Sequence, residues 1–247
     1  MTHRAQRVLV TGATSGIGSA CARAFHRAGW QVVVTGRRQE RLDDLRAELG
    51  CSTLCFDVRD FAATEAALAD QGVFDVVLNN AGLSRGLEPI WQGSLDDWNE
   101  MLDTNVKGLL HVTRVLLPGM VEAGFGHVIN IGSIAGHEAY PNGAVYCASK
   151  HAVLAITQSM RKDTCGTGVK VSTVDPGLVH TEFSLVRFHG DQERADSTYD
   201  GMTPLRGEDV AATVLWVAEA PAHVNVAEVL LLPNDQASAG IVARKGK

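Results

Sequence analysis

The chain has 247 residues, 45% of them hydrophobic, which is ample apolar material for the core of one α/β domain or two small ones. Its 22 basic and 28 acidic side chains leave a formal net charge of −6 with no Lys/Arg block, which argues against nucleic-acid binding by phosphate neutralisation. No apolar run approaches the roughly 18–20 residues of a membrane span, so neither nucleic acid nor membrane is an expected partner. The start, Met1-Thr2-His3-Arg4-Ala5-Gln6-Arg7, moves straight into an apolar strand without the h-region of a signal peptide. Cys21, Cys51, Cys55, Cys147 and Cys165 are an odd set without paired spacing, as reduced thiols of a cytoplasmic protein would be. Cys51 and Cys55 lack a second Cys/His pair at zinc-site spacing and the histidines include no HExxH, so no metal is expected.

In chain order, residues 7–11 read as a buried strand and 16–28 as a helix with Ile17, Ala20, Cys21, Ala24 and Phe25 on its apolar face. A strand at 31–35 precedes a charged helix at 39–49, whose Leu42, Leu45 and Leu49 keep helical spacing. Further strands are expected at 52–57, 74–78, 127–131, 169–174 and 225–232. Their continuous Val/Ile content marks strands covered on both faces, as in parallel sheets. The segment 95–123 opens with a capping-box pattern at Ser94 and Asp97, and Pro118 is expected to bend or interrupt it. Helices at 144–163 and 208–218 complete the alternation. The pattern predicts βαβ units in a single-domain, Rossmann-type doubly wound parallel sheet of about seven strands, with helices on both faces.

Residues 1–247 thus form one domain, with no repeat or linker-like stretch. Two regions break the rhythm: 178–203, too long for an ordinary connection and expected to be a substrate loop, and the polar tail 233–247, expected to be solvated.

Directly after the first strand stands Thr11-Gly12-Ala13-Thr14-Ser15-Gly16-Ile17-Gly18, followed by a helix. Glycines there allow a tight turn and close approach to a pyrophosphate, whose charge the free N–H groups of the helix start favour. A tight turn alone would also use glycines; the strand–loop–helix context favours the cradle. The second strand ends Thr35-Gly36-Arg37-Arg38, with guanidiniums where an NAD site normally carries Asp or Glu. Their planar forks suit a 2′-phosphate, so NADP(H) is expected over NAD(H). In the other reading, both arginines only decorate the next helix.

Tyr146-Cys147-Ala148-Ser149-Lys150 sets a phenol and an ammonium at i and i+4 on one helical face. A nearby cation stabilises phenolate and draws its pKa toward working pH, suiting Tyr146 to exchange a proton with a carbonyl or alcohol during hydride transfer. Such pairs also occur on solvated helices, so the company matters. Ser133 ends the preceding strand in Gly132-Ser133-Ile134, Asn79-Asn80-Ala81-Gly82 follows the fourth, and Pro176-Gly177 closes the sixth. Asn105 lies mid-helix, where Asn is a poor helix former unless its side chain is needed. The strand-end motifs fall on the carboxyl side of the sheet, where open α/β sheets bind ligands.

Together these motifs, with the loop form TGxxxGxG, resemble the short-chain dehydrogenase/reductase family over about residues 7–232. The resemblance implies Tyr146 as acid/base, Lys150 as its tuning cation and nicotinamide-ribose ligand, Ser133 as the group polarising the substrate oxygen, and Asn105 as holder of a relay water. It implies cofactor contacts from Gly12, Thr14, Ser15, Gly16, Ile17, Gly18, Arg37 and Arg38, and near adenosine from Asp57, Val58, Asn80, Ala81 and Gly82. At the carboxamide end it implies Pro176, Gly177, Val179 and Thr181. The other reading of Asp57 is the cap of a helix from Phe61 onward. A homotetramer through the helices at 95–123 and 144–163 is also implied.

Thr181-Glu182-Phe183-Ser184-Leu185-Val186-Arg187-Phe188, with Leu116-Leu117-Pro118-Gly119-Met120 and Pro221-Ala222-His223-Val224-Asn225, is similar to one subgroup. That subgroup is the NADP-dependent 3-hydroxy acid dehydrogenases, which include serine and allo-threonine dehydrogenases and semialdehyde reductases. Arg187 is the lone guanidinium among apolar residues, placed either to clamp a substrate carboxylate or sulfonate, or as a surface or subunit-contact residue to pair with Glu182 or Asp191. Glu138, in the stretch expected to shape the pocket, would repel an anion. The same chemistry on sulfoacetaldehyde, a 3-oxoacyl thioester or a bulkier ketone is the alternative, and a non-catalytic NADP-binding regulator the remote one.

Overall fold

In the computed structural model, which describes residues 5–246, the first Val-rich run forms β1 (Arg7–Val10), and the glycine turn leads into α1 (Gly16–Arg27). The extreme N-terminal residues and Lys247, part of the leader and tail readings, lie outside the described residues. Then come β2 (Gln31–Gly36), α2 (Gln39–Leu49), β3 (Ser52–Cys55), α3 (Phe61–Leu68) and β4 (Val76–Asn79). The long helical segment is α4 (Leu95–Leu102), a π-helical stretch Asp103–Gly108, and α5 (Leu109–Ala123). It is followed by β5 (Gly126–Ile131), α6 (Ala144–Asp163) and β6 (Val169–Pro176). The insertion holds β7 (Val179–His180), α7 (Phe183–Arg187) and α8 (Gln192–Ser197), and β8 (Leu205–Arg206), α9 (Gly207–Ala218) and β9 (Glu228–Leu231) complete the chain.

Seven strands pair in parallel in the order β3-β2-β1-β4-β5-β6-β9, so the chain reverses its direction of winding between β1 and β4. Side chains alternate between two buried faces. Val8, Val10, Val32 and Val34 pack with Phe25, Val210 and Val214. Leu9, Val33 and Val77 point the other way, against Val112, Leu116 and Met160. Double coverage explains the unbroken Val/Ile runs. Across β4 and β5, Asn79 Nδ2 donates to Asn130 Oδ1 at 2.9 Å, and Asn130 Nδ2 to Thr157 Oγ1 of α6 at 2.8 Å.

Three expectations change. Pro118 does not interrupt α5, because it and Arg114, whose carbonyl loses a helical donor, both face solvent. The helical irregularity falls instead at Asp103–Gly108, around Asn105. At the start of α4, Ser94 Oγ accepts from Asp97 N at 3.4 Å, but the Asp97 carboxylate turns to His189, at 3.1 Å, rather than closing a capping box. The tail is not simply solvated: Gln236 is buried and accepts from Leu178 N at 2.8 Å, and Lys245 N donates to Gly201 O at 2.7 Å. A backbone N–H left free just past β6 draws the tail in.

Asn130→Ala removes the acceptor of the Asn79 amide and the donor to Thr157 while keeping the strand. It should lower unfolding stability by about 2 kcal/mol, read as a fall in melting temperature; an unchanged melt would mean the network contributes nothing.

Candidate active site

The winding reversal brings the carboxyl ends of β1 and β4 together, and the glycine turn is shaped by that meeting. Gly12 has φ +64°, and a Cβ on it would lie 2.8 Å from Ala81 Cα. A Cβ on Gly18 would lie 2.4 Å from Asn80 Nδ2, which itself donates to Thr11 O at 2.8 Å and Gly12 O at 3.1 Å. Thr11 Oγ1 accepts from the backbone N–H groups of Asn80 and Ala81, each at 3.0 Å. Ser15 makes no side-chain cap to α1, so the first-turn N–H groups remain available to an anion.

The cleft that opens here measures about 470 Å³. Of the site residues expected from the sequence, all but Gly18 and Asn105 line it. Gly18 lies beneath Asn80, and Asn105 lies behind Gly82.

At one end stand the arginines. Arg37 Nη1 is 3.6 Å from Asp57 and 3.7 Å from Glu100. Arg38 donates through Nε to Thr14 Oγ1 at 3.2 Å and through Nη1 to Glu182 Oε2 at 3.0 Å. Arg41 joins them, at 2.5 Å from Glu182 Oε1 and 3.2 Å from Thr14 O. Arg41 was missed by sequence reasoning, although it follows Arg38 by one helical step on the same face of α2. Burial acts to raise the Glu182 carboxyl, but the Arg41 and Arg38 guanidiniums bring it below its ordinary range. Asp57 is not the cap of α3; Asp60 is, accepting from Ala63 N at 3.0 Å. Asp57 instead faces the cleft and holds Arg59 at 2.7 Å; against burial, Arg59 and then Arg37 lower its carboxyl.

At the other end, Tyr146 and Lys150 project from α6, and Ser133 lines the same part of the cleft, where its hydroxyl favours the phenolate of Tyr146. Lys150 Nζ donates to Ile131 O at 2.9 Å and lies 6.0 Å from the centre of the Tyr146 ring. Burial brings the Lys150 ammonium down to about 8, with Asp175 opposing. Burial pushes Tyr146 above the ordinary phenol range, Tyr140 adds to this, and Arg187 leads the opposing influences. Asp175, also missed, is buried and held by Thr173 Oγ1 at 2.5 Å and His137 Nε2 at 2.9 Å. A carboxylate directly before the strand-closing Pro176 was its visible signal. His137 Nδ1 is 3.7 Å from Glu228, so these three groups form a His/Asp/Glu cluster that the sequence reading did not foresee.

Asn105 accepts from Leu83 N and donates to Leu83 O, both at 2.8 Å, and donates to Ser149 Oγ at 3.0 Å. Its side chain therefore ties the loop after β4 to α6. The missing side chain of Gly82 keeps space open between Asn105 and Lys150: a Cβ there would lie 3.1 Å from Asn105 Oδ1 and 3.7 Å from Lys150 Nζ. The π-helical turn at Asn105 is a feature frequently found at functional sites.

Arg187 reaches back from α7 into the cleft. Its Nε donates to Ser84 Oγ and its Nη2 to Tyr140 Oη, both at 3.0 Å, and the guanidinium lies 5.2 Å from the ring centres of both Tyr146 and Phe183. It forms no ion pair among the described residues. The surface pairing falls away because Glu182 holds Arg38 and Arg41, while Asp191 caps α8 through Arg194 N. Glu138 does not line the cleft; its carboxylate accepts from Ala239 N of the tail at 3.0 Å.

The family described as short chain dehydrogenase matches residues 6–191. A Salmonella typhi protein named NADP-dependent 3-hydroxy acid dehydrogenase YdfG is 49% identical over 241 residues, 95% of this chain and 97% of that one. Serine 3-dehydrogenase of Agrobacterium fabrum is 44% identical over 239 residues, 94% and 96% of the two chains. Among solved structures, the closed form of a serine dehydrogenase complexed with NADP+ superposes with a TM-score of 0.93 at 47% identity, covering 96% of this chain and 98% of that chain. Serine dehydrogenase from Escherichia coli has a TM-score of 0.83 at 42% identity, with coverages of 94% and 100%. A family match across the glycine cradle, the strand-end motifs and the Tyr146–Lys150 helix, with such relatives along nearly the whole length, makes this chain a member of the short chain dehydrogenase family.

Proposed function

We propose that the protein is an NADP(H)-dependent oxidoreductase that interconverts a small 3-hydroxy acid and its 3-oxo acid or semialdehyde by hydride transfer. The observation that carries the substrate class is Arg187, a guanidinium with no carboxylate partner among the described residues, held beside the Tyr146 ring. With the guanidinium 5.2 Å from the centre of the Tyr146 ring, a substrate bound by its carboxylate would present its 3-oxygen to Tyr146. The names of the serine and 3-hydroxy acid dehydrogenase relatives support the same reading.

The cleft fits such a dinucleotide. Its glycine turn is open where side chains would close it, and the first turn of α1 offers unsatisfied N–H groups. The loop from Gly12 to Ile17 would hold the pyrophosphate, Asp57, Val58, Asn80, Ala81 and Gly82 the adenosine half, and Pro176, Gly177, Val179 and Thr181 the carboxamide end. Tyr146 and Lys150 would hold the ribose beside it. When bound, the nicotinamide gives or accepts the hydride at the carbinol carbon.

Tyr146 donates its proton to the carbonyl oxygen in reduction and takes it back in oxidation, while Ser133 hydrogen-bonds the same oxygen. Burial keeps the phenol protonated at neutral pH, the form that reduction uses. Lys150, fixed on Ile131 O and favoured in its charged form by Asp175, stands next in line to return a proton, with Asn105 across the space that Gly82 leaves open. Five cysteines, an odd number without paired spacing, support a cytoplasmic location. A homotetramer through α4–α5 and α6 is proposed on the exposed Leu95, Leu102 and Leu110 of the first of these faces.

Tyr146→Phe should reduce turnover by about 10²- to 10⁴-fold while leaving NADPH affinity within about twofold; full activity would sink the acid/base assignment. Arg187→Ala should raise KM for malonic semialdehyde and sulfoacetaldehyde by about 10- to 100-fold and leave a neutral aldehyde of similar size unchanged. Equal losses on all three would remove the carboxylate clamp and return the substrate to the wider carbonyl class. Light scattering should give four chain masses; one or two would overturn the tetramer.

A further inference from the structure

Behind the reacting groups, at the corner of the sheet formed by β5, β6 and β9, three titratable side chains meet, and none of them lines the cleft. His137, just past β5, places Nε2 2.9 Å from Asp175 Oδ2 of β6 and Nδ1 3.7 Å from Glu228 Oε1 of β9. The side chains are 2% exposed for Asp175, 21% for His137 and 38% for Glu228, so the row runs from the interior to solvent. The other Asp175 oxygen, Oδ1, accepts from Thr173 Oγ1 at 2.5 Å and occupies the room left by Gly132, where a Cβ would collide with it. The peptide bond joining Ile131 to Gly132 is the one whose oxygen accepts from Lys150 Nζ at 2.9 Å. The buried carboxylate and the ammonium therefore stand about one peptide group apart, the first behind the cleft and the second lining it.

An ionised carboxylate only accepts hydrogen bonds, so His137 donates to it through Nε2. Burial is the largest influence on Asp175 and raises its carboxyl; Thr173 and His137 oppose this, and Glu228 adds to it. The Asp175 charge in turn favours the Lys150 ammonium, which burial brings down to about 8. The other titratable groups at this end, Tyr140, Arg187 and Cys147, act on Tyr146, whose ring centre lies 6.0 Å from Lys150 Nζ. A buried carboxylate stripped of a donor takes up a proton more readily, and Lys150 then loses the charge that supports it.

We propose that His137 is a positioning residue for proton return: by donating to Asp175 it keeps a negative charge beside Lys150, and so sets the pH up to which Lys150 can hand a proton to Tyr146. This rests on the reading of Tyr146 and Lys150 as the acid/base pair of an oxidoreductase. After each reduction an N–H bond of Lys150 breaks and the O–H bond of Tyr146 forms, solvent reprotonates the amine, and nothing is oxidised or reduced in the step. His137 acts through Asp175 alone.

The test compares His137→Ala, His137→Gln, Asp175→Asn and the double variant His137→Ala/Asp175→Asn. The Lys150 titration is followed by NMR of protein carrying isotope-labelled lysine, with its signal assigned by loss in Lys150→Arg. In parallel, kcat for reduction of malonic semialdehyde by NADPH is profiled between about pH 6 and 9. His137→Ala and Asp175→Asn should each lower the Lys150 midpoint by about one pH unit, leaving kcat within about twofold near pH 6 and cutting it roughly fivefold near pH 8. His137→Gln, which keeps a donor for Asp175, should restore at least about half of that shift. The double variant should titrate like Asp175→Asn alone, because the imidazole has no other route to Lys150. An unchanged Lys150 midpoint in His137→Ala, or a double-variant shift equal to the sum of the single ones, overturns the proposal. If the unmodified protein reduces no carbonyl with NADPH, the oxidoreductase reading itself fails, and the NMR titration still decides whether His137 governs Lys150.

Discussion

The close approach of the turn after β1 to the end of β4 is the constraint on which the rest of the molecule depends. Parallel strands that wind outward in opposite directions leave a crevice between their carboxyl ends, and here Asn80 laces that crevice by donating to Thr11 O and Gly12 O. The lacing requires backbone where most residues would carry a side chain, which is why Gly12 and Gly18 stand where they do. It also leaves the start of α1 facing open space with its N–H groups unclaimed. The anion site is thus a by-product of sheet topology, and glycine is what keeps it open.

At the far end of the same crevice the governing term is desolvation. Tyr146 and Lys150 are both buried, which favours the neutral form of each. The charges that oppose it arrive from distant parts of the chain: Asp175 from β6 favours the ammonium, and Arg187 from α7 favours the phenolate. The insertion is seated both by arginines, at Glu182 and at the carbonyl end of α7, and by Phe183 and Val186 packed against the cluster of Leu83, Met101 and Tyr146.

Much of this was legible in the residues. Val/Ile runs gave away doubly covered strands because period-two alternation disappears when both faces are buried. Asn105 stood out as a poor helix former, and the structure explains it by a π-helical turn and three side-chain hydrogen bonds to Leu83 and Ser149. Pro118 does not end the helix, because the carbonyl that loses its donor, on Arg114, lies on the solvent face and can be hydrated there. Asp97 formed half of a capping box by its spacing, yet its carboxylate found His189 from the insertion instead.

Local chemistry was therefore determined by the sequence alone: the strand–glycine–helix cradle, the shared face of Tyr146 and Lys150, and the alternation that makes a parallel sheet. These depend on spacings of a few residues, which backbone geometry converts directly into positions. Only the tertiary structure decided which charges meet. Arg38 and Glu182 are 144 positions apart, Arg187 and Ser84 103, and Glu138 and Ala239 101, and each pairing is set by where the chain returns across the sheet. A guanidinium has the same donors wherever it stands; which acceptor it reaches, and so whether it reads a phosphate, holds a helix or grips a substrate, is fixed by packing that no local spacing encodes.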